Sequence, residues 1–330
     1  MKLTDNERRL LPNLELNAET PLAQLAKSLN VSVNTVRHAI SNLTEKGVIR
    51  HYPFIDVFPL GYRLFNISLA LRAKQMAEQD RILKTIIAHP QVSWVCELGG
   101  GEYRYLISFI ARRSSELLDF LETIGATAPG IIQRKAVMDQ LTLTLFPAKF
   151  LTSRIVGAQH IGWGSEAPSF NADRDDYRIL NGMMAGYTSM RALARKLGMA
   201  HSSLYHRLNR LRRAGVFKGF IYLRNIHALN HSEFKFNISV ANRTPSLRNR
   251  LFSFAKEHPH VIFFVELMGE WDFEMDIEVE TPAHAGLICD QLRARFSDEI
   301  TDLKIEPILC ELKVACFPLE PLDRAVDGSC

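Results

Sequence analysis

Ser32, Asn34, Thr35, Arg37, His38 and Ser41 fall on one face of a helical repeat, and each ends in a hydrogen-bonding group. Further along the chain, His201, Ser202, Ser203, Tyr205, His206 and Asn209 take the corresponding places, with Arg207, Arg210, Arg212 and Arg213 around them. Such side chains donate to and accept from base edges in a major groove, while arginine neutralises phosphates. No other chemistry is organised to this degree. The sequence has no G-x-S-x-G elbow, no Walker phosphate loop and no H-E-x-x-H pair. The histidines are scattered; His89 and His258 each precede a proline where a helix should end, which suits capping. Asp173, Asp175 and Asp176 open a helix, where carboxylates complement the helix dipole. No catalytic residue, metal site or cofactor is therefore expected.

The elements that position these faces are legible. Thr4-x-x-Glu7 is a capping box opening a helix with Leu10, Leu11 and Leu14 as its apolar stripe, and Pro12 should kink or break it. Thr20-Pro21 starts a second helix with Leu22, Leu25, Ala26 and Leu29 inward. A turn at Asn30–Ser32 leads to a third with Val33, Val36, Ile40 and Leu43 inward, stopped by Gly47 before a β-prone run. Three short helices and a strand form a winged helix-turn-helix. Residues 22–49 then recur at 190–217, and the repeat continues: His89-Pro90 with His258-Pro259, Gly101-Glu102-Tyr103 with Gly269-Glu270-Trp271, Phe146-Pro147 with Phe317-Pro318. A period this long means a duplicated pair of domains, not a solenoid.

Each helix-turn-helix is followed by strand, helix, hairpin, helix and strand, an α+β unit of βαββαβ order. Expected boundaries are 1–52, winged helix-turn-helix 1; 53–150, βαββαβ domain 1; 151–171, a Gly/Ser-rich linker; 172–226, winged helix-turn-helix 2; 227–320, βαββαβ domain 2; and 321–330, a tail. Trp163 and Ile161 are expected to dock the linker on a domain surface.

With 330 residues, 47% hydrophobic and 23% charged, the chain can bury several cores. It lacks the roughly 18-residue apolar run of a membrane span, and its charged beginning lacks a signal core, so a cytoplasmic, membrane-free protein is expected. Five cysteines without a C-x-x-C pair read as reduced thiols. Residues 172–222 carry a net +7 and residues 227–320 a net −7, which assigns polyanion contact to the second helix-turn-helix. The run 271–280 alternates apolar residues with Asp272, Glu274, Asp276, Glu278 and Glu280. The pattern reads as the wet face of an antiparallel strand. If the two βαββαβ sheets pair, that row would meet Arg104, Arg112 and Arg113.

LTDNERRLL, then LAQLAKSLNVSVNTVRHAISNLTEKGVI, then a βαββαβ unit with GEYRYLI or GEWDFEM in its hairpin resembles the Lrp/AsnC (leucine-responsive) transcription regulators, nearly throughout and twice over. The resemblance implies a tandem repeat of winged helix-turn-helix plus ferredoxin-like, RAM-type domain. It also implies sequence-specific binding of double-stranded DNA and regulation by a small molecule such as an amino acid. A pseudo-dimeric chain that forms homo-oligomers is implied as well. The ligand would sit by the hairpin signature, at Gly101 and Tyr103 and at Gly269, Trp271 and Asp272; Arg104 and the tripled glycine 99–101 depart from that signature. Siroheme decarboxylases are also similar, but hold a polycarboxylate porphyrin with basic and histidine residues, whereas the second hairpin here is acidic and the first has only Arg104. A scaffold without DNA binding is the remaining alternative, which the weak charge of residues 1–52 allows.

Overall fold

The computed structural model describes residues 2–72, 76–153, 155, 160–164, 168–187 and 189–315. The tail 321–330, Phe317-Pro318, Cys316, Cys330 and the middle of the expected linker lie outside the described residues. The first copy runs α1 (Asp5–Leu14), α2 (Leu22–Leu29), α3 (Val33–Glu45), β1 (Ile49–Ile55), β2 (Arg63–Leu71), α4 (Met76–Ala88), β3 (Val92–Leu98), β4 (Tyr105–Ala111), α5 (Ser114–Thr127) and β5 (Ile132–Leu145). After a short strand β6 (Ile161–Gly164), the second repeats the order: α6 (Arg174–Met184), α7 (Met190–Leu197), α8 (His201–Arg213), β7 (Phe217–Arg224), β8 (Ser232–Val240), α9 (Pro245–Glu257), β9 (Val261–Met268), β10 (Phe273–Val279), α10 (Pro282–Arg295) and β11 (Ile300–Val314). The α+β class and the tandem order are as the sequence implied.

Local chemistry explains the helix ends. The Thr4 hydroxyl accepts from the Glu7 N–H at 3.3 Å, and the Glu7 carboxylate accepts from the Thr4 N–H at 2.8 Å. Asp173 and Asp176 make the same reciprocal pair at α6, each bond 3.0 Å. The expected break at Pro12 does not occur. Proline stands in the last turn of α1, where only the Arg8 carbonyl loses an intrahelical donor. Thr20 does not cap α2, which begins after Pro21 with no side-chain cap bond. The tight turns that follow α2 and α7 use left-handed residues, Asn30 (φ 56°) and Gly198 (φ 68°). Val33, expected inward, is 36% exposed at the start of α3, and Ala39 takes its place in the core.

The compact units do not follow the two copies. One comprises Met1–Tyr52, Thr142–Gly162 and Gly219–Ile308; the other comprises Pro53–Leu141, Trp163–Lys218 and Leu309–Cys330. Each therefore joins the helix-turn-helix of one copy to the βαββαβ domain of the other. In the first unit the sheet order is β11-β8-β10-β9, antiparallel, with α9 and α10 on its apolar face over Phe236, Ile238, Phe273, Met275 and Ile277. In the second unit β5-β2-β4-β3 repeats the arrangement beneath α4 and α5, over Phe65, Ile67, Val95, Ile107 and Phe109. β5 leaves the second unit at Leu141 and continues in the first, where the Phe146 N–H donates to the Ile262 carbonyl at 2.8 Å. The first helix-turn-helix core, Leu10, Leu11, Leu25, Val36 and Leu43, is completed by Ala148, Leu151 and Leu229 of the same unit. The linker's Trp163 docks as expected, stacked 4.9 Å from Phe54 in the second unit.

The two His-Pro sites share one device. Nδ1 of His89 accepts from the Gln91 N–H, and Nδ1 of His258 from the His260 N–H, each at 3.3 Å. A protonated ring cannot accept at that nitrogen. Burial, with His260 nearby, pushes His258 down to about 4. An unfolded histidine titrates near 6.5, so the unfolded chain takes up this proton first as pH falls. The neutral ring's stability is thus present above about 6.5 and lost as pH falls towards 4. NMR titration of His258 should find a midpoint well under 6, and a midpoint at 6 or above would remove this assignment.

Candidate nucleic-acid interface

α3 and α8 are third helices entered through short turns; the Ser32 side chain caps α3, whereas α8 starts after Ala200 with no side-chain cap bond. On α3, Ser32, Asn34, Arg37, His38 and Ser41 are exposed and Thr35 is half-buried. The Ser32 hydroxyl accepts from the Thr35 N–H at 3.0 Å, and Arg37 donates to the Asn34 side-chain oxygen at 2.8 Å. On α8, His201, Ser202, Ser203, Tyr205, His206 and Asn209 are exposed, with Tyr205 45% exposed against His201. Leu204, Leu208 and Leu211 are buried beneath them. Two runs of donors and acceptors are thereby presented outward, one from each copy.

Arg207 and Arg210 are placed differently from the rest. Arg207 donates to Asp173 at 2.7 Å and to Asp176 at 3.1 Å. Arg210 also bonds Asp176, whose carboxylate is fully buried, and lies over Phe170. Burial raises Asp173, but bonds from Arg207 and the Asp176 N–H bring it below its ordinary value. The first copy uses the same joint with a neutral partner. Asn42, at the place of Arg210, donates to Glu7, at the place of Asp176. Burial alone would raise Glu7; bonds from Thr4 and Asn42 bring it below its ordinary value. Both capping boxes thus continue into the third helix, a role that residue types did not disclose. The clue was in the sequence: an acidic third residue in each first helix and a polar residue 34 or 35 positions later.

The hairpin signatures lie in separate units. Trp271 and Tyr103 are buried, Gly101 is exposed, and Gly100 turns at φ 73°. The Asp272 carboxylate accepts from the Val240 N–H at 2.9 Å. Arg243 clamps the loop onto β9, donating to the Leu267 and Asp272 carbonyls and to Glu266. Arg104, in the aspartate's place in the first copy, pairs with Glu97 at 2.8 Å.

The acidic row of β10 is not wet. Glu274, Asp276 and Glu278 are all buried, because β8 supplies Lys235 between the first two and β7 supplies Arg224 to the third. Arg104, Arg112 and Arg113 are instead engaged by Glu97, Tyr177 and Glu116. Arg224 also bonds Glu15 at the end of α1, and His231 Nδ1 lies 2.6 Å from Glu278. The second Glu15 oxygen accepts from the Ala148 N–H at 2.7 Å. Burial raises Glu15 despite Arg224, and raises Glu274 to about 7 despite Lys235. Burial also works against Glu278, but Arg224 and His231 hold it below its ordinary value.

A family model described as winged helix-turn-helix DNA-binding matches residues 3–50. The HTH-type transcriptional regulator AldR of Mycolicibacterium smegmatis is 31% identical over 121 residues, 36% of this chain and 70% of AldR. The HTH-type transcriptional regulator FL11 of Pyrococcus abyssi is 26% identical over 133 residues, 40% of this chain and 85% of FL11. The crystal structure of the siroheme decarboxylase NirDL superposes with a TM-score of 0.61 at 13% identity, covering 97% of this chain and 96% of that one. At that identity the likeness is one of fold. Fold and relatives define a tandem helix-turn-helix protein of the transcription-regulator class. The chain belongs to the Lrp/AsnC family. Among the described residues no helix is long and apolar enough to cross a membrane.

Proposed function

We propose that the chain is a sequence-specific, double-stranded-DNA-binding transcription regulator, not an enzyme. It reads bases through α3 and α8 and responds to a small ligand, such as an amino acid, near the hairpin signatures. The observation that carries the reading is the pair of outward faces, Asn34, Arg37 and His38 on α3 and Ser202, Tyr205, His206 and Asn209 on α8, each backed by a buried apolar face, Val36, Ala39 and Leu43 in the first and Leu204, Leu208 and Leu211 in the second. Ser32, Thr35, His201 and Ser203 complete the contacts at the helix starts. Arg207 and Arg210 brace α8 in this reading, and Arg213 serves the phosphates.

Salt-titrated binding to genomic fragments tests it. Wild type should bind selected sequences and weaken steeply with salt. Asn209→Ala should cost about 1–3 kcal/mol on the preferred site, roughly 5- to 150-fold, and little elsewhere. Arg213→Ala should weaken all sequences alike and flatten the salt slope. Binding that ignores both changes would remove α8 from the interface. For the ligand, Asp272→Ala should blunt the response of DNA binding to amino acids; an unaltered response would place the ligand elsewhere.

A tetrapyrrole enzyme is the second reading, favoured by the fold likeness across almost the whole chain. The acidity of β10 weighs less against it than the sequence suggested, since Lys235 and Arg224 neutralise that row. A visible absorption band after reconstitution with a tetrapyrrole, without selective DNA binding, would favour it.

A further inference from the structure

The helical layers of the two βαββαβ domains differ in sign. In one, α5 carries Glu116, Asp119 and Glu122 with no basic residue, and the neighbouring α4 balances Glu78 and Asp80 with Arg81 and Lys84. In the other, α9 and α10 carry Arg248, Arg250, Lys256, Arg293 and Arg295 against Glu257 and Asp290. Asp119, Glu122, Arg248 and Arg293 are all exposed. Each layer also leaves a leucine in water, Leu118 at 55% and Leu287 at 59% exposure. These helices pack their buried faces on their own sheets, and Arg250, Arg295 and Glu116 are engaged by Glu299, Phe296 and Gln91 of their own domains, but Asp119, Glu122, Arg248, Arg293 and the two leucines stand outside both cores.

We infer that the acidic α5 layer of one chain docks on the basic α9–α10 layer of a second copy of this chain, head to tail. An exposed apolar side chain ringed by charge is a common form of protein contact. Opposite fields orient such an encounter, and like layers repel, so charge opposes a symmetric pairing of either layer with itself. A contact between two different surfaces repeats, and it closes as a ring or extends as a filament. Nucleic acid on α9–α10 would satisfy the arginines but leave the acidic layer and Leu118 without a role.

Sedimentation velocity on the full chain tests this through a charge swap. Wild type should sediment as a multiple of the 37.5 kDa chain at low salt and dissociate as salt rises. Asp119→Arg with Glu122→Arg leaves two basic layers, and Arg248→Glu with Arg293→Glu leaves two acidic ones. Each variant alone should sediment with less of the assembly, and an equimolar mixture should restore it, because every junction is then complementary. A melting curve matching wild type for each variant confirms that the folds persist. A wild type that stays a single chain, variants that assemble as wild type does, or a mixture that fails to recover would each overturn the inference. So would loss of DNA affinity in the Arg248/Arg293 variant with its assembly unaltered, which would give the basic layer to nucleic acid.

Discussion

Arg224→Met should lower the stability of the first unit by about 3–5 kcal/mol, the range for removing one partner of a buried ion pair. Arg224 is the cation shared by Glu15 and Glu278, and all three side chains are nearly or fully buried. Methionine keeps much of the volume but, among the described residues, leaves the two carboxylates the Ala148 N–H and the His231 ring and no guanidinium. The sign with pH follows. In wild type Glu278 lies below its ordinary value, so its contribution is present at neutral pH and lost as pH falls through the folded value. Without the guanidinium, burial raises it, and ionisation then works against the fold as pH rises. The gap between wild type and variant in a denaturant titration should therefore narrow on acidification. Glu15→Gln with Glu278→Gln in the Arg224→Met background should recover part of the loss. A variant that unfolds with wild type at neutral pH would show that the buried cation contributes nothing net.

Asp176→Ala should cost about 3 kcal/mol or more, within the range for breaking a buried charged contact. It removes both the reciprocal cap of α6 and the shared anchor of Arg207 and Arg210. The consequence reaches α8, since both arginines lie on it. Arg207→Ala supplies the contrast. If Arg207 braces the helix, its removal lowers the melting temperature and leaves the salt slope of DNA binding nearly unchanged. If it holds a phosphate instead, the salt slope flattens and the melting temperature stays. Measured together, the two quantities decide whether these guanidiniums serve the fold or the ligand.

The sequence disclosed whatever depends on neighbours a few positions apart. Capping boxes, apolar stripes, the His-Pro turns and the βαββαβ order all have short-range signatures, and the repeat let each copy corroborate the other. What it hid depends on partners far along the chain. Asp272 to Glu280 alternate as a half-exposed strand does, and nothing in that run signals that Glu274, Asp276 and Glu278 are buried with Lys235 and Arg224. Val33 fits an inward stripe by period, yet the first turn of α3 points it outward. Arg207 and Arg210 look like phosphate ligands by type, and only the fold shows the aspartates that hold them. The crossing of the copies could not be read, because either helix-turn-helix has the pattern to sit beside either βαββαβ domain.

That crossing bears on biosynthesis. The first fifty residues belong to a unit whose remaining parts are Thr142–Gly162 and Gly219–Ile308. A nascent chain growing at about 5–20 residues per second needs roughly 10–50 s to supply the last of them. Through that interval the surface that Ala148, Leu151 and Leu229 later cover lacks part of its cover, and Glu15 has no arginine. A pause in translation between the copies, or a transcript cut there, leaves the first helix-turn-helix without the Gly219–Ile308 part of its unit. The first helix-turn-helix of the newborn chain therefore keeps part of its apolar surface uncovered until the second copy supplies Leu229 and Arg224.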